Sequence, residues 1–282
     1  MTPCNVRAQD GWQIAASLYG DDLPASSLKG AVLIAPAMGT PQTYYATFAT
    51  WLAKQGFLVA TFDYRGTGRS RPARLRGFRT DILEWARLDC AAMIDSLVAR
   101  SPGRPLYWIG HSLGGQILPF VPNHSRLTKA VTVACGSGYW RDNATPLKRR
   151  AWWLWFVVVP VATALCGYFP GRKLRKVGDL PKDVMLQWRR WCLHPEYAVS
   201  EGEGVRAQYA AVTTPIVSLS FDDDEFMSAR NTESLHALYT NARRRMKRIA
   251  PRDVGVGRIG HFGFFRPGFE GSLWLAHLLP EL

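Results

Sequence analysis

Short apolar runs rich in β-branched residues recur along this chain of 282 residues, and longer stretches with helical spacing separate them. This alternation predicts an α/β protein, in which buried strands form a mostly parallel sheet flanked by helices. The predicted strands are Gly11–Tyr19 at an edge of the sheet, Ala31–Ala35, Phe57–Phe62, Leu106–Ile109, Ala130–Ala134, Pro215–Phe221 and Met246–Ala250. The predicted helices are Thr43–Lys54, Asp81–Ala99, Ala229–Asn241 and Gly268–Leu279.

The alternation stops between residues 139 and 206, where tryptophan, arginine and helix-forming stretches replace it. We therefore predict one core, made of residues 1–138 and 207–282, into which residues 139–206 are inserted as a helical cap. Within this insertion, the segment Ala151–Phe169 carries no charge and has basic residues on both sides. Its length is close to that of a membrane-spanning helix. Because Pro160 interrupts it and globular sequence lies on both sides, we expect a buried or groove-lining helical hairpin.

Composition and charge narrow the class of protein. The chain is 47% hydrophobic and 20% charged, as in soluble globular proteins. Its 35 Lys and Arg against 22 Asp and Glu give a net charge of +13. The cations are dispersed and no nucleic-acid-binding motif is present, so we expect no nucleic-acid partner, while a weak contact with an anionic membrane stays open. Scattered cysteines and an N-terminus without a secretory signal predict reduced thiols and a cytoplasmic location.

The sequence Gly110–Gly114, which reads Gly-His-Ser-Leu-Gly, fits the pattern G-x-S-x-G. It lies between a predicted strand and a helical stretch, the context in which this motif makes a tight turn that lifts the serine above the sheet. Glycines two residues before and two after the serine let the neighbouring backbones pass closely. Ser112 is therefore the candidate nucleophile.

With this motif, two further stretches resemble the α/β-hydrolase superfamily over nearly the whole chain outside the insertion. Asp63–Ser70 is similar to the D-x-R-G-x-G-x-S loop of that superfamily, and Pro41–Gly56 resembles its stretch between the oxyanion loop and the next strand. The likeness is greatest to predicted bacterial hydrolases with a tryptophan-rich cap. The resemblance implies the α/β-hydrolase fold, the chain order serine, acid, histidine, and chemistry that requires no metal or organic cofactor.

A serine hydroxyl needs an imidazole to take its proton and a carboxylate to hold that imidazole. Among the six histidines, His261 follows the last predicted strand, where the family places its base. His111 adjoins the nucleophile and points away from it. The remaining histidines precede the expected acid or lie within predicted helices; they are His124, His194, His236 and His277.

The acid is expected after the strand Pro215–Phe221, where the run Asp222–Asp224 begins. The match of Phe221 to the glycine of the family's G-x-x-D turn selects Asp224, with Asp223 as the alternative because the register of such a run is ambiguous. Asp142, after the preceding strand, is a further alternative.

The oxyanion of the tetrahedral intermediate needs two N–H donors. Leu113, the residue after the nucleophile, supplies one. Pro36 has no N–H, so the second donor is Met38 or Ala37, and the spacing from Tyr44 favours Met38. This loop resembles that of homoserine acyltransferases, which leaves acyl transfer to an acceptor other than water as an alternative.

These assignments predict a serine hydrolase of the carboxylesterase or lipase type that cleaves a small-molecule ester or thioester through an acyl-enzyme. The alternatives are an acyltransferase of the same fold, a peripheral membrane lipase that acts on anionic lipid, and a hydrolase-fold binding protein without catalysis. Aromatic residues of the insertion suggest a substrate with an apolar acyl or aromatic part; they are Trp152, Trp153, Trp155, Phe156, Trp188 and Trp191.

Overall fold

One mixed sheet carries the loops that hold the candidate site residues. The computed structural model describes residues 1–175 and 177–282, for Pro146 the backbone only. The strands are β1 Thr2–Arg7, β2 Gln13–Tyr19, β3 Gly30–Ala35, β4 Phe57–Phe62, β5 Leu106–His111, β6 Lys129–Val133, β7 Tyr168–Phe169, β8 Leu180–Pro181, β9 Ile216–Phe221 and β10 Arg244–Ile249. Eight of them form the main sheet in the order β1-β2-β4-β3-β5-β6-β9-β10, while β7 and β8 pair separately.

The pairings from β4 to β10 are parallel, whereas β1 and β2 run antiparallel to their neighbours. Strands β3, β4, β5 and β9 are buried along their whole length. Alternate residues enter different apolar layers, since Leu33 packs in one layer with Trp85 and Val32 in the other with Phe48. Burial on both faces explains why these strands read as continuous apolar runs. The predicted α/β class with a mostly parallel sheet is confirmed.

Helices and helical turns connect the strands. The α-helices are α1 Ala46–Lys54, α2 Ile82–Glu84, α3 Ala91–Arg100, α4 Leu113–Gln116, α5 Thr145–Trp153, α6 Val159–Cys166, α7 Lys182–Leu193, α8 Val205–Ala211, α9 Ala229–His236 and α10 Gly260–Gly263. π-Helical segments are Trp85–Cys90, Leu154–Val158 and Glu270–Leu278. Short 3-10 turns are Ala25–Ser27, Gln42–Tyr45, Leu118–Phe120, His124–Arg126, Tyr197–Glu201, Pro251–Val254 and Leu279–Glu281.

The carboxyl ends of the central strands meet at one edge of the sheet. Ala35 pairs with Gly110, His111 pairs with Val133, and Val133 pairs with Leu219. The loops that follow β3, β5 and β9 therefore leave the sheet side by side, although long stretches of sequence separate them. In open α/β sheets this edge is where ligands bind.

The edge of the sheet differs from the prediction. Gly11–Tyr19 was expected at the edge, but its strand β2 lies one position inside because β1 pairs with it. Strand β1 is mostly exposed, and only Cys4 and Val6 pack against the core. An exposed strand lacks the continuous apolar run of a buried strand, so the sequence of β1 did not predict a strand.

The segment in which we predict the insertion, residues 139–206, lies between β6 and β9; it contains α5, α6 and α7 with β7 and β8, and α8 begins at its end. The predicted helical hairpin is wrong, because α5, the π-helical turn Leu154–Val158 and α6 follow each other with helical backbone angles at both junctions. Pro160 cannot donate a hydrogen bond to the preceding turn. The Nε of Arg189 donates to the carbonyl oxygen of Trp155 at 2.5 Å instead. No helix in the described part of the chain has the length and apolar character to cross a membrane.

Candidate active site

Ser112 occupies the tight turn between β5 and α4. Its backbone angles, φ 50° and ψ −114°, are unfavourable for a residue with a side chain. The turn also requires small neighbours, since a Cβ on Gly114 would lie 2.1 Å from the carbonyl oxygen of Ala35. A Cβ on Gly110 would lie 2.6 Å from the carbonyl oxygen of Gly114. The two glycines of the motif thus permit the close approach of β3, β5 and α4 that the sequence predicted.

His261 and Asp224 form a buried pair at the same edge of the sheet. The Nδ1 atom of His261 lies 2.9 Å from Oδ2 and 3.1 Å from Oδ1 of Asp224. Oδ1 of Asp224 also accepts the backbone N–H groups of Phe226 and Met227 at 2.8 and 2.9 Å. These donors fix the carboxylate, which in turn holds Nδ1–H of His261 and leaves Nε2 to exchange protons.

The neighbouring carboxylates bind the backbone of the histidine loop. Asp223 accepts the N–H groups of Ile259 and Gly260 at 2.8 and 3.0 Å. Glu225, which the sequence analysis did not single out, accepts the N–H of His261 through Oε2 at 3.0 Å. The acidic run continues to residue 225, and that was the only signal for this role in the sequence.

The other candidate acids lie elsewhere. Asp222 is exposed, and its own N–H donates to the carbonyl of Ile249. The carboxylate of Asp142 pairs with Nε of Arg230 at 3.3 Å. Of the residues considered for the acid, the structure therefore brings only Asp224 into contact with the imidazole of His261 in the part of the chain that it describes.

A hydrogen-bonded chain runs beneath the site through His111. Its Nε2 lies 3.1 Å from the carbonyl oxygen of His261, which only accepts, so Nε2 carries the proton. Burial lowers the pKa of His111 well below its ordinary value, and the neutral ring then accepts at Nδ1. The hydroxyl of Tyr45, 2.8 Å away, donates to this nitrogen and accepts the N–H of Ala37 at 2.9 Å.

This chain bears on the second oxyanion donor. The N–H of Ala37 is already bound to Tyr45. By contrast, the backbone N–H groups of Met38 and Leu113 have no hydrogen-bond acceptor among the described residues. Both residues are buried, and the loops that carry them touch where Gly114 passes the carbonyl oxygen of Ala35. The geometry therefore favours Met38 over Ala37 as the partner of Leu113.

A family model described as Serine aminopeptidase, S33, matches residues 26–253, well over half of the chain. The chain belongs to this family of α/β-hydrolases. No curated protein matches it.

Solved structures with the same fold cover most of the chain. A soluble variant of monoglyceride lipase from Saccharomyces cerevisiae, in complex with a substrate analogue, has a TM-score of 0.62 at 15% identity and covers 89% of this chain and 87% of that one. An N-formylmaleamic acid deformylase from Pseudomonas putida has a TM-score of 0.59 at 15% identity, with 96% and 99% covered. An esterase from Pyrococcus furiosus has a TM-score of 0.56 at 13% identity, with 96% and 87% covered. At such identities these likenesses show the fold.

The stretch Asp63–Ser70 holds the segment that follows the Met38 loop. The buried carboxylate of Asp63 accepts the backbone N–H and the side-chain amide of Gln42, each at 2.9 Å. It also accepts the N–H of Arg69 at 3.0 Å. A Cβ on Gly68 would lie 2.2 Å from the carboxyl carbon of Asp63, so this position requires glycine. The motif fixes Gln42 and with it the segment that leads to Tyr45.

Residues between β6 and β9 pack against the edge of the sheet that carries Ser112. The N–H of Gly178 donates to the carbonyl oxygen of Gly39 at 3.3 Å, directly after Met38. On another side, the hydroxyl of Tyr197 donates to the side chain of Gln116 at 2.7 Å. Ser112 is only 9% exposed, so the region around the serine is largely closed to solvent.

The six aromatic residues of the predicted insertion differ in burial, and Trp188 is partly buried against the ring of Trp155. Trp155 and Trp191 are buried in the core. Trp152, Trp153 and Phe156 are exposed to solvent, so these three rings do not support the suggestion of an apolar part in the substrate. Their exposure could not be predicted from the sequence, because residues 151–166 carry no charge that would mark a solvent-facing side.

Proposed function

We propose that this α/β-hydrolase is a serine hydrolase that cleaves an ester or thioester through an acyl-enzyme. The observation that carries the proposal is the contact of 2.9 Å between Nδ1 of His261 and Oδ2 of Asp224, at the edge of the sheet where Ser112 occupies its strained turn. A serine, an imidazole and a carboxylate in this order along the chain are the set that such chemistry needs.

In the first half of the reaction, Oγ of Ser112 attacks the carbonyl carbon and its proton passes to Nε2 of His261. Asp224 stabilises the imidazolium through Nδ1–H. The oxyanion accepts hydrogen bonds from the backbone N–H groups of Leu113 and Met38. The fold holds both groups in position before the substrate binds. When the intermediate collapses, the alkoxide or thiolate leaves and takes the proton from Nε2, and the acyl group stays on Ser112.

In the second half, water attacks the acyl carbon and gives a proton to Nε2 of His261. A second tetrahedral intermediate collapses, the carboxylic acid leaves, and Ser112 recovers its proton. The buried serine limits the access of bulk water. The leaving group must therefore depart before water, or another acceptor, takes its place.

Labelling with a fluorophosphonate probe tests the activated serine. We expect the native chain to label and to hydrolyse p-nitrophenyl esters, and Ser112→Ala and His261→Ala to lose about a thousandfold or more of the rate. Ser218→Ala is the matched control, because this buried serine has no hydrogen-bond partner in the described part of the chain. Equal labelling of Ser112→Ala and the native chain would refute the proposal.

The substrate class follows from the same purified protein. A series of p-nitrophenyl esters from acetate to palmitate gives the preferred acyl length, and a matched thioester and anilide show which bond is cleaved. An added thiol or alcohol competes with water for the acyl-enzyme. We expect esters or thioesters to exceed the anilide; transfer that outpaces hydrolysis would assign an acyltransferase instead.

A further inference from the structure

The outer face of the helical stretch 151–166 is apolar. Residues with exposed side chains in this stretch are Trp152, Trp153, Phe156, Val161, Ala164 and Leu165. The exposed fraction reaches 56% at Trp153 and 72% at Leu165. The rings of Trp152 and Phe156 lie 6.3 Å apart between centroids and extend the apolar surface along the helix. We call these six residues the aromatic face.

This face is not the core side of an amphipathic helix. The core side is formed by Ala151, Trp155, Val159 and Thr163, which recur every fourth residue and are buried. A helix on the surface of a globular protein has polar residues opposite such a stripe. Here the opposite side is apolar as well, and adjoining exposed apolar side chains mark a site of interaction.

The charges around the aromatic face indicate what covers it. Between Asn143 and Gly178 the sequence contains seven Lys and Arg residues and no Asp or Glu. Lys148–Arg150 precede the face and are exposed, and the exposed residues Arg172, Lys173 and Arg175 follow it. In a symmetric pair of copies these cations would face each other and repel. A partner that offers both apolar groups and negative charge matches the two parts of the surface.

We propose that the aromatic face and its flanking cations dock this protein on the surface of an anionic lipid bilayer. Tryptophan and phenylalanine side chains enter the boundary between headgroups and acyl chains, and the cations bind the lipid phosphates. The buried stripe through Trp155 keeps the helix attached to the hydrolase, so it lies in the plane of the interface. This proposal does not rest on the catalytic one.

The docking surface is firmly held by the rest of the fold. At the π-helical turn, Arg189 donates to the carbonyl oxygen of Trp155. At the end of the helix, Arg76 donates to the carbonyl oxygens of Leu165 and Cys166 at 2.9 and 3.0 Å. Both contacts come from segments outside the helix. The aromatic face therefore meets the membrane already ordered, with little loss of conformational entropy.

Flotation with vesicles tests this docking. We expect the native chain to float with vesicles of phosphatidylcholine and phosphatidylglycerol at low salt, and far less with phosphatidylcholine alone or at high salt. The variant Trp152→Ser/Trp153→Ser/Phe156→Ser should bind the vesicles at least about tenfold more weakly than the native chain. Replacement of Lys148–Arg150 by glutamates should weaken binding by about a hundredfold or more, since each cation near an anionic surface contributes roughly fivefold.

The matched control is Met246→Ser/Leu275→Ser, which removes two apolar side chains that are 44% and 45% exposed elsewhere on the protein. It should float like the native chain, and circular dichroism checks that each variant is folded. Three results would overturn the proposal: native protein that stays at the bottom with anionic vesicles, equal flotation of the aromatic variant, or a dimer in sedimentation that the aromatic variant abolishes. Ser112→Ala should float normally, which separates this test from that of catalysis.

Discussion

Removal of one hydroxyl at Tyr45 tests whether the chain beneath the site positions the catalytic loops. The substitution Tyr45→Phe keeps the buried ring and its contacts. It deletes the oxygen that accepts the N–H of Ala37 at 2.9 Å and the proton that is donated to Nδ1 of His111 at 2.8 Å. One atom thus disconnects the loop before Met38 from the histidine next to Ser112.

The expected loss follows from the two groups left without partners. The N–H of Ala37 and Nδ1 of His111 both lie in a buried region, and an unpaired buried polar group costs about 1–3 kcal/mol. We expect the free energy of unfolding to fall by about 2–6 kcal/mol in total. Since loss of one oxyanion donor lowers kcat by about a hundredfold or more, partial misplacement of Met38 should lower it about 10–100-fold.

The assay separates positioning from simple destabilisation. Urea unfolding gives the stability, and ester hydrolysis is expressed per serine that a fluorophosphonate labels, so unfolded molecules do not count. The control is Tyr239→Phe, the same change at a buried tyrosine whose hydroxyl has no hydrogen-bond partner in the described residues. The reasoning is refuted if Tyr45→Phe matches Tyr239→Phe in both stability and kcat per labelled serine.

Three further predictions concern the acid, a buried histidine and the serine turn. Asp224→Asn should lower kcat by about a thousandfold or more and Asp222→Asn should leave it nearly unchanged, as measured by ester hydrolysis. Burial lowers the pKa of His236 to about 4 from 6.5, so the unfolded state binds more protons between these values and stability falls as the pH drops. Urea unfolding at pH values of about 7 and 5 should show a loss of about 2 kcal/mol from this group, and His236→Asn should lack that part of the slope. Gly114→Ala should abolish labelling of the serine or folding itself, since the added Cβ meets the carbonyl oxygen of Ala35 at 2.1 Å.

The central strands and the serine turn were predictable because their signals are local. A strand buried on both faces is a continuous apolar run in the sequence. In Gly110–Gly114, the spacing of the glycines around the serine predicts the tight turn. His261 was chosen by its place after the last strand, and the structure brings it to Asp224. Their catalytic roles stay predictions that the labelling experiments test, and the bounds of the cap stay a prediction as well.

Other features depend on contacts between distant parts of the chain. The role of His111 requires Tyr45 from one loop and the carbonyl of His261 from another, separated by 66 and 150 residues. The helix continues through Pro160, and Arg189 donates to the carbonyl oxygen of Trp155 in the turn before the proline. No pattern within a short window contains either partner. The sequence therefore favoured a hairpin where the structure has one helical stretch.

The acidic run shows why composition at a site does not reveal which residue acts. Asp222, Asp223 and Asp224 have the same chemistry, and the turn after β9 directs each side chain to a different place. Asp223 and Glu225 bind backbone N–H groups of the loop that carries His261, and only Asp224 reaches its ring. It follows that Asp223→Asn should lower kcat because the loop that carries His261 is displaced. Substrates that bind more tightly should restore the position of this loop, so we expect kcat to recover in part when ester hydrolysis is measured with them. Asp224→Asn removes the partner of Nδ1–H itself, and no substrate can compensate for that loss.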